Sequence, residues 1–173
     1  MSEFELYPEE RHWWSFCDHR AVMSVMRRLT PKRVLEFGPG SSTLALIEGG
    51  ATHIDTCEDQ AHWAEIYRIR LEQRFPDIVR LRTYVWREPV TVDGVDDQRY
   101  DLALIDGPQQ LQRQAVIDYC LRRCTWVLFP TDELQGSMAL RIAAAEFAAT
   151  YARPLEIMQT GPLSGAFALI GPA

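Results

Sequence analysis

Residues 36–43 read Glu36-Phe37-Gly38-Pro39-Gly40-Ser41-Ser42-Thr43, a glycine-containing turn that directly follows a short apolar segment. Glycines at positions 38 and 40 let the main chain turn sharply and approach a ligand closely. Residues 44–48 then begin a helix, which Gly49-Gly50 ends. The first N–H groups of a helix lack partners within it and carry a partial positive charge. The stretch therefore predicts a strand–turn–helix unit suited to binding a carboxylate or a phosphate.

An acidic residue, Glu36, stands two positions before the first glycine of this turn. A carboxylate at a strand end can accept hydrogen bonds from an ammonium group, directly or through water, so the turn suits an amino-acid moiety. It departs from the dinucleotide fingerprint G-x-G-x-x-G because Thr43 replaces the third glycine, and it lacks the G-K-[ST] ending of a P-loop. The alternative is a tight turn only, with Glu36 solvated.

Outward from this turn, strand-like and helix-like segments alternate along the chain. This alternation predicts an α/β fold, a three-layer doubly wound Rossmann-like sheet that is mostly parallel and covered on both faces. The last two strands most simply form an antiparallel hairpin. Strands are predicted over 33–37, 53–57, 78–85, 100–105, 126–129, 155–159 and 166–170, helices over 13–29, 44–48, 60–75, 109–123 and 133–151, and a polar loop over 86–99.

Acidic residues follow other strands of this predicted sheet, where doubly wound folds bind their ligands. Glu58 is placed to accept hydrogen bonds from ribose hydroxyls, and Asp59 to cap the next helix. Asp106 faces the same crevice and could bind a metal, orient a substrate or contact a cofactor. Asp132 follows the fifth strand, so Asp106 and Asp132 are candidate ligands of Mg²⁺. The alternative for Asp132 is another helix cap.

Length and charge limit the classes of function. The 173 residues suggest one domain, with residues 33–171 as its core and 1–32 as a helical segment and candidate lid. A net charge of −6 argues against a broad electrostatic grip on nucleic acid or on an anionic membrane. No apolar run approaches the ~20 residues of a spanning helix, and no signal peptide is expected.

The four cysteines are interpreted as free thiols rather than as a metal or redox pair. None of them forms a C-x-x-C pair, and the chain does not have the composition of a disulfide scaffold. A reducing cytoplasm is the expected setting. The four residues are Cys17, Cys57, Cys120 and Cys124.

Three segments together resemble the class I S-adenosylmethionine-dependent methyltransferases, in particular small members whose first strand reads LE-x-G-x-G-x-ST and whose fourth strand ends in IDG. They are residues 36–43, Glu58-Asp59 and residues 100–108, which read Tyr-Asp-Leu-Ala-Leu-Ile-Asp-Gly-Pro. The resemblance spans residues 33–171 and implies S-adenosylmethionine as the cofactor. It implies Glu36, Gly38 and Gly40 at the methionine part, Ser41, Ser42 and Thr43 along the turn, Glu58 and Asp59 at the ribose, Val85 and Trp86 at the adenine, and Asp106 near the sulfonium and the substrate as the candidate catalytic residue.

Two features depart from the family's pattern. The stretch 86–99 is short and polar where many members carry a helix, and the acid that usually contacts the adenine after the third strand is not obvious. Trp86 is a candidate to stack on the adenine instead, or a core residue. No general base is evident, although methyl transfer from a sulfonium is a direct displacement that alignment of the reactants can promote.

Two other functions remain open. One is a module that binds S-adenosylmethionine without transferring the methyl group. The other is a nicotinamide-dependent oxidoreductase, which Thr43 disfavours. The expected partner is a small-molecule substrate, with neither nucleic acid nor membrane, and the sequence is compatible with a homo-oligomer.

Overall fold

A computed structural model describes residues 19–85, 89–95, 98–107, 110–131, 137–159 and 166–173. The strands are β1 (Arg33–Phe37), β2 (His53–Glu58), β3 (Val79–Val85), β4 (Thr91–Val92), β5 (Tyr100–Ile105), β6 (Cys124–Pro130), β7 (Leu155–Gln159) and β8 (Ala166–Ile170). The helices are α1 (His19–Leu29), α2 (Ser41–Glu48), α3 (Ala61–Tyr67), α4 (Gln110–Leu121) and α5 (Ser137–Thr150).

All eight of these strands belong to one sheet, in the order β4-β3-β2-β1-β5-β6-β8-β7. Its centre is parallel, because β1 pairs with β2 and β5, β2 with β3, and β5 with β6 in the same direction. Strand β8 runs antiparallel to both β6 and β7. The predicted doubly wound α/β sheet with an antiparallel C-terminal hairpin is therefore confirmed.

Helices cover both faces of the sheet, which gives three layers. Helices α1 and α2 pack with one side of the central strands, and α3 extends that layer towards β3. Helix α4 packs on the opposite face, together with part of α5. Val22, Val25 and Met26 are fully buried at helical spacing along α1, so an amphipathic sequence places this helix on the sheet.

The structure differs from the sequence prediction in two connections. The predicted helix over 60–75 is α3 followed by a π-helical segment, Arg68–Glu72. The predicted loop over 86–99 contains β4, a two-residue strand that pairs antiparallel with β3. Two residues are too few to show the alternation that identifies a strand in a sequence.

The described part of the chain bears on three further expectations. Cys57, Cys120 and Cys124 are buried free thiols, while Cys17 lies outside the described residues. Among the described helices, none is both long and apolar enough to cross a bilayer. The candidate lid, residues 1–32, is described only from His19 onward, so the lid and the single-domain organisation stay predictions.

A buried carboxylate, that of Asp55, joins the three strands β2, β3 and β5. Asp55 on β2 is fully buried and accepts hydrogen bonds from Arg82 Nε on β3 at 2.7 Å and Tyr100 Oη on β5 at 2.6 Å, and His53 Nε2 lies 2.7 Å from it. Burial alone would raise the pKa of Asp55, but the bonds from Tyr100, Arg82 and His53 outweigh it and hold the pKa below its usual value. The carboxylate is thus charged and paired at neutral pH.

Replacing Arg82 tests this network. We expect Arg82→Met to lower the free energy of unfolding by roughly 2–3 kcal/mol, because Asp55 would remain buried without its cationic partner. Arg80 is the matched control, since it is exposed on the same strand and, among the described residues, donates only to main-chain oxygens, those of Pro76 and Val79. Arg80→Met should change the free energy by less than about 0.5 kcal/mol in urea denaturation. Equal losses in the two variants would contradict the assigned role of Arg82.

Candidate functional site

The predicted site residues lie at the carboxyl edge of the sheet, where three neighbouring strands end. Phe37 at the end of β1 is in register with Cys57 on β2 and Ile105 on β5. Glu58 and Asp106 follow directly, so the acidic positions of β1, β2 and β5 lie along the same edge. This edge is the ligand-binding position of a doubly wound sheet.

The turn after β1 crosses the turn after β5 in direct main-chain contact. Phe37 O accepts hydrogen bonds from the N–H groups of Asp106 and Gly107, both at 2.8 Å. Gly38 has a φ of +86°, and a Cβ built on it would lie 2.7 Å from the nitrogen of Gly107. Only glycine meets both demands at position 38. The crossing fixes Asp106 beside the glycine turn.

The Glu36 carboxylate holds this turn from beneath. Glu36 is fully buried, and its two oxygens accept hydrogen bonds from Ser42 Oγ at 2.6 Å, Thr43 Oγ1 at 2.6 Å and Thr56 Oγ1 at 2.7 Å. Three hydroxyl donors explain how a carboxylate is tolerated in a dry position. The alternative of a solvated Glu36 is therefore wrong.

The side chains that follow the glycines also serve the turn. Thr43 Oγ1 accepts a hydrogen bond from the N–H of Gly40 at 3.1 Å while it donates to Glu36. Ser41 and Ser42 are each only 2% exposed. Because the hydroxyls of Ser42 and Thr43 are directed at Glu36, a ligand at this turn would meet main-chain groups at the start of α2 rather than these hydroxyls.

Burial sets the protonation of Glu36. Removal from water raises its pKa from 4.5 to about 7, although the bonds from Ser42, Thr43 and Thr56 pull it down, and the nearby charge of Asp106 adds to the rise. Glu36 therefore changes charge close to neutral pH.

The second acidic position is built differently from the prediction. Glu58 is half-buried, and its Oε1 accepts a hydrogen bond from the N–H of Gln60 at 2.9 Å. Gln60, not Asp59, is the N-cap residue of α3, so the predicted cap by Asp59 is wrong. Burial, together with the adjacent carboxyl of Asp59, raises the pKa of Glu58 to about 7 against the opposing effect of the bond from Gln60. Asp59 itself is exposed at the strand end.

The remaining predicted positions are described only in part. Val85 ends β3 with 53% of its surface exposed. Trp86 and Asp132 lie outside the described residues. Over the described ranges, no group of three or more His, Cys, Asp or Glu side chains could hold a metal ion. The Mg²⁺ pair Asp106–Asp132 gains no support and stays a prediction.

Sequence reasoning missed Arg113. This arginine lies in the first turn of α4, is 2% exposed, and donates from a terminal guanidinium nitrogen to the main-chain oxygen of Asp106 at 2.8 Å. Its charge also lowers the pKa of Tyr84, which burial and the charges of Asp59 and Glu58 raise. A cation thus lies at the acidic edge of the sheet. The only signal in the sequence is its spacing after Asp106-Gly107, which does not distinguish Arg113 from a solvated helix residue.

Known proteins resemble this chain in fold but not in sequence. No protein-family model and no curated protein sequence matches the chain. Solved structures do match it. The O-methyltransferase TomG from Streptomyces achromogenes, in complex with SAM, has a TM-score of 0.71 at 15% identity over 99% of this chain and 88% of its own. The cofactor-bound protein Rv0187 from MTB has a TM-score of 0.71 at 21% identity, over 97% and 86%.

A third structure, the precorrin-6y C5,15-methyltransferase from Geobacter metallireducens GS-15, has a TM-score of 0.62 at 18% identity, over 88% and 86% of the two chains. The chain shares its fold with these three proteins. At such identities the likeness establishes the fold alone, and the residues of the site must carry any argument about chemistry.

The pKa of Glu36 leads to a prediction about stability and pH. Between about pH 4.5 and pH 7, Glu36 carries a proton in the folded state but has lost it in the unfolded chain. Stability from this group is therefore complete below pH 4.5 and falls as pH rises through 7, by roughly 3 kcal/mol. Glu36→Gln should not show this fall, since its amide can take the same three contacts if the Ser42 hydroxyl turns to accept.

The measurement is urea denaturation of wild type and Glu36→Gln at intervals from pH 5 to 8. Glu58 titrates in the same range, so the difference between the two profiles isolates Glu36. Parallel profiles would mean that Glu36 is already charged throughout this range in the folded protein.

Arg113 leads to a second prediction. Arg113→Met keeps the length of the side chain but removes its charge and donors, so the Asp106 oxygen loses a charge-assisted hydrogen bond. We expect the free energy of unfolding to fall by about 2 kcal/mol in urea denaturation. Arg122→Met is the control directly after the end of α4, because the pair of Arg122 with Asp118 is exposed and contributes little to stability. A loss for Arg113→Met no larger than the control's would contradict a structural role for this bond.

Proposed function

We propose that the protein transfers a methyl group from S-adenosylmethionine to a small or exposed acceptor. The observation that carries this proposal is the crossing of Gly38 and Gly107 at the edge where three neighbouring acid-bearing strands end. The shared fold supports it, because the methyltransferase TomG has this fold in complex with SAM.

The residues present fit such a cofactor. Position 38 has no space for a side chain, so the main chain itself forms the wall of the turn and the start of α2 can approach a carboxylate. Glu58 would bind ribose hydroxyls, and the exposed Val85 would offer an apolar surface to the adenine. Glu36 would position the turn from beneath. When bound, the cofactor supplies an activated methyl group on a positively charged sulfur.

The charges of the edge favour a cation. Glu36, Glu58 and Asp106 are carboxylates at three neighbouring strand ends, and Arg113 balances part of their charge from the main-chain side of Asp106. We propose that Asp106 lies nearest the reacting methyl group and orients the acceptor. Because methyl transfer is a direct displacement, fixing the two reactants in line accounts for much of the catalysis.

Titration calorimetry on the full chain tests the proposal with a matched pair of ligands. S-adenosylmethionine carries the sulfonium charge, whereas S-adenosylhomocysteine is its neutral thioether analogue. Because the pKa values of Glu36 and Glu58 are both about 7, the edge becomes more negative from pH 6 to pH 8. S-adenosylmethionine should therefore gain more affinity over this interval than S-adenosylhomocysteine, by roughly threefold or more.

Variants locate the binding. Glu58→Gln should weaken both ligands by roughly tenfold, because charge-assisted hydrogen bonds to the ribose would be lost. Glu65→Gln is the control, since Glu65 is an exposed glutamate of α3 that pairs with Arg68.

If neither ligand binds the wild-type chain, the proposal fails. Binding of NADH instead would indicate an oxidoreductase, and binding without turnover on a panel of acceptors would indicate a module that only holds the cofactor.

A further inference from the structure

A groove beside α4 lies apart from the strand-end residues described above. It has a volume of about 590 Å³, within the range of small-molecule sites. It lies between one side of α4 and the segment that follows β3, and it is lined by Pro89, Val90, Ala115, Asp118, Tyr119, Arg122 and Arg123. None of these residues belongs to the proposed cofactor site.

The connection between β3 and β5 forms one wall of the groove. Only 14 residues, 86–99, join these strands, and the regular structure among the described ones is the two-residue strand β4. Val90 and Val92 pack against the core there. Pro89 and Val90 of this connection line the groove together with Ala115, Asp118 and Tyr119 of α4.

Arg123 supplies the chemistry of the groove. Its guanidinium carbon lies 3.9 Å from the centre of the Tyr119 ring, and one terminal nitrogen donates to the main-chain oxygen of Tyr119 at 3.3 Å. Its Nε–H is buried and has no acceptor among the residues that the structure describes. A buried donor without an acceptor is unfavourable, so the Arg123 side chain would gain by turning its Nε–H towards an acceptor atom that a ligand brings into the groove.

The other charges favour an anionic ligand. Arg122 donates through Nε and a terminal nitrogen to Asp118 Oδ2, at 3.1 and 2.8 Å, so these two charges balance each other. Arg123 then leaves the groove with a net positive charge, in a chain whose total charge is −6. Pro89, Val90 and Ala115 provide an apolar wall.

We propose that this groove is a second ligand site, which binds a small organic anion whose carboxylate or phosphate contacts Arg123 and whose apolar body packs against Pro89, Val90 and Ala115. The site is independent of the proposed methyl transfer, because neither its residues nor its test involve the cofactor.

Nuclear magnetic resonance of the arginine Nε–H groups tests the proposal on the ¹⁵N-labelled full chain. Benzoate and phenyl phosphate are the anionic probes, and benzamide is the neutral probe of the same shape. We expect a saturable shift of the Arg123 signal with at least one anion, with affinity for that anion roughly tenfold or more above that for benzamide. The comparison of the two anions shows which headgroup the site prefers.

Two variants and one control complete the test. Arg123→Met lacks the reporting signal, so its binding is measured by titration calorimetry, in which saturable binding of the anions should be abolished. Ala115→Phe should weaken binding by filling the groove while leaving the buried core intact. Arg28→Met is the control, since Arg28 is an exposed arginine that pairs with Glu156 on β7, and it should bind as wild type does. The proposal is overturned if no probe gives a saturable shift, if benzamide binds as well as the anions, or if Ala115→Phe binds them with unchanged affinity.

Discussion

The buried carboxylate of Glu36 is the interaction on which the functional edge of the sheet depends. It joins the end of β1 to the start of α2 through Ser42 and Thr43, and to β2 through Thr56. An ionised carboxylate without these donors would be too costly to bury. The same burial raises its pKa to about 7. One residue thus shapes the turn and gives it a charge that varies near neutrality.

A steric constraint acts beside this electrostatic one. The turns after β1 and β5 touch through Gly38 and Gly107, and the main-chain oxygen of Phe37 accepts two hydrogen bonds across the contact. Arg113 on α4 also donates a hydrogen bond to the main-chain oxygen of Asp106. Contacts between main-chain atoms leave less freedom than contacts between side chains, because no rotamer change can relieve them. The position of Asp106 follows from these contacts.

Much of the fold could be predicted from the sequence, and the reasons are local. Seven strands and the order of helices follow from apolar segments bounded by glycine and proline, as with residues 33–37 ahead of Gly38. Strand β4 could not be found because two residues carry no periodicity. The π-helical segment at Arg68–Glu72 was also missed, since its sequence still reads as an ordinary amphipathic helix. The cap by Asp59 was a wrong inference from residue type, because the Glu58 carboxylate reaches the same helix end.

The sequence by itself determined the doubly wound sheet and the placement of Glu36, Glu58 and Asp106 at strand ends, since both depend on periodicity and on residues next to one another in the chain. Only the tertiary structure decided what these groups do. Whether Glu36 is solvated or buried depends on Thr56, 20 positions away. The same holds for the Asp55 network, the contact of Gly38 with Gly107, the role of Arg113 and the groove at Arg123. Each arises where separate segments meet, and burial and hydrogen bonding between such segments leave no pattern in a single sequence.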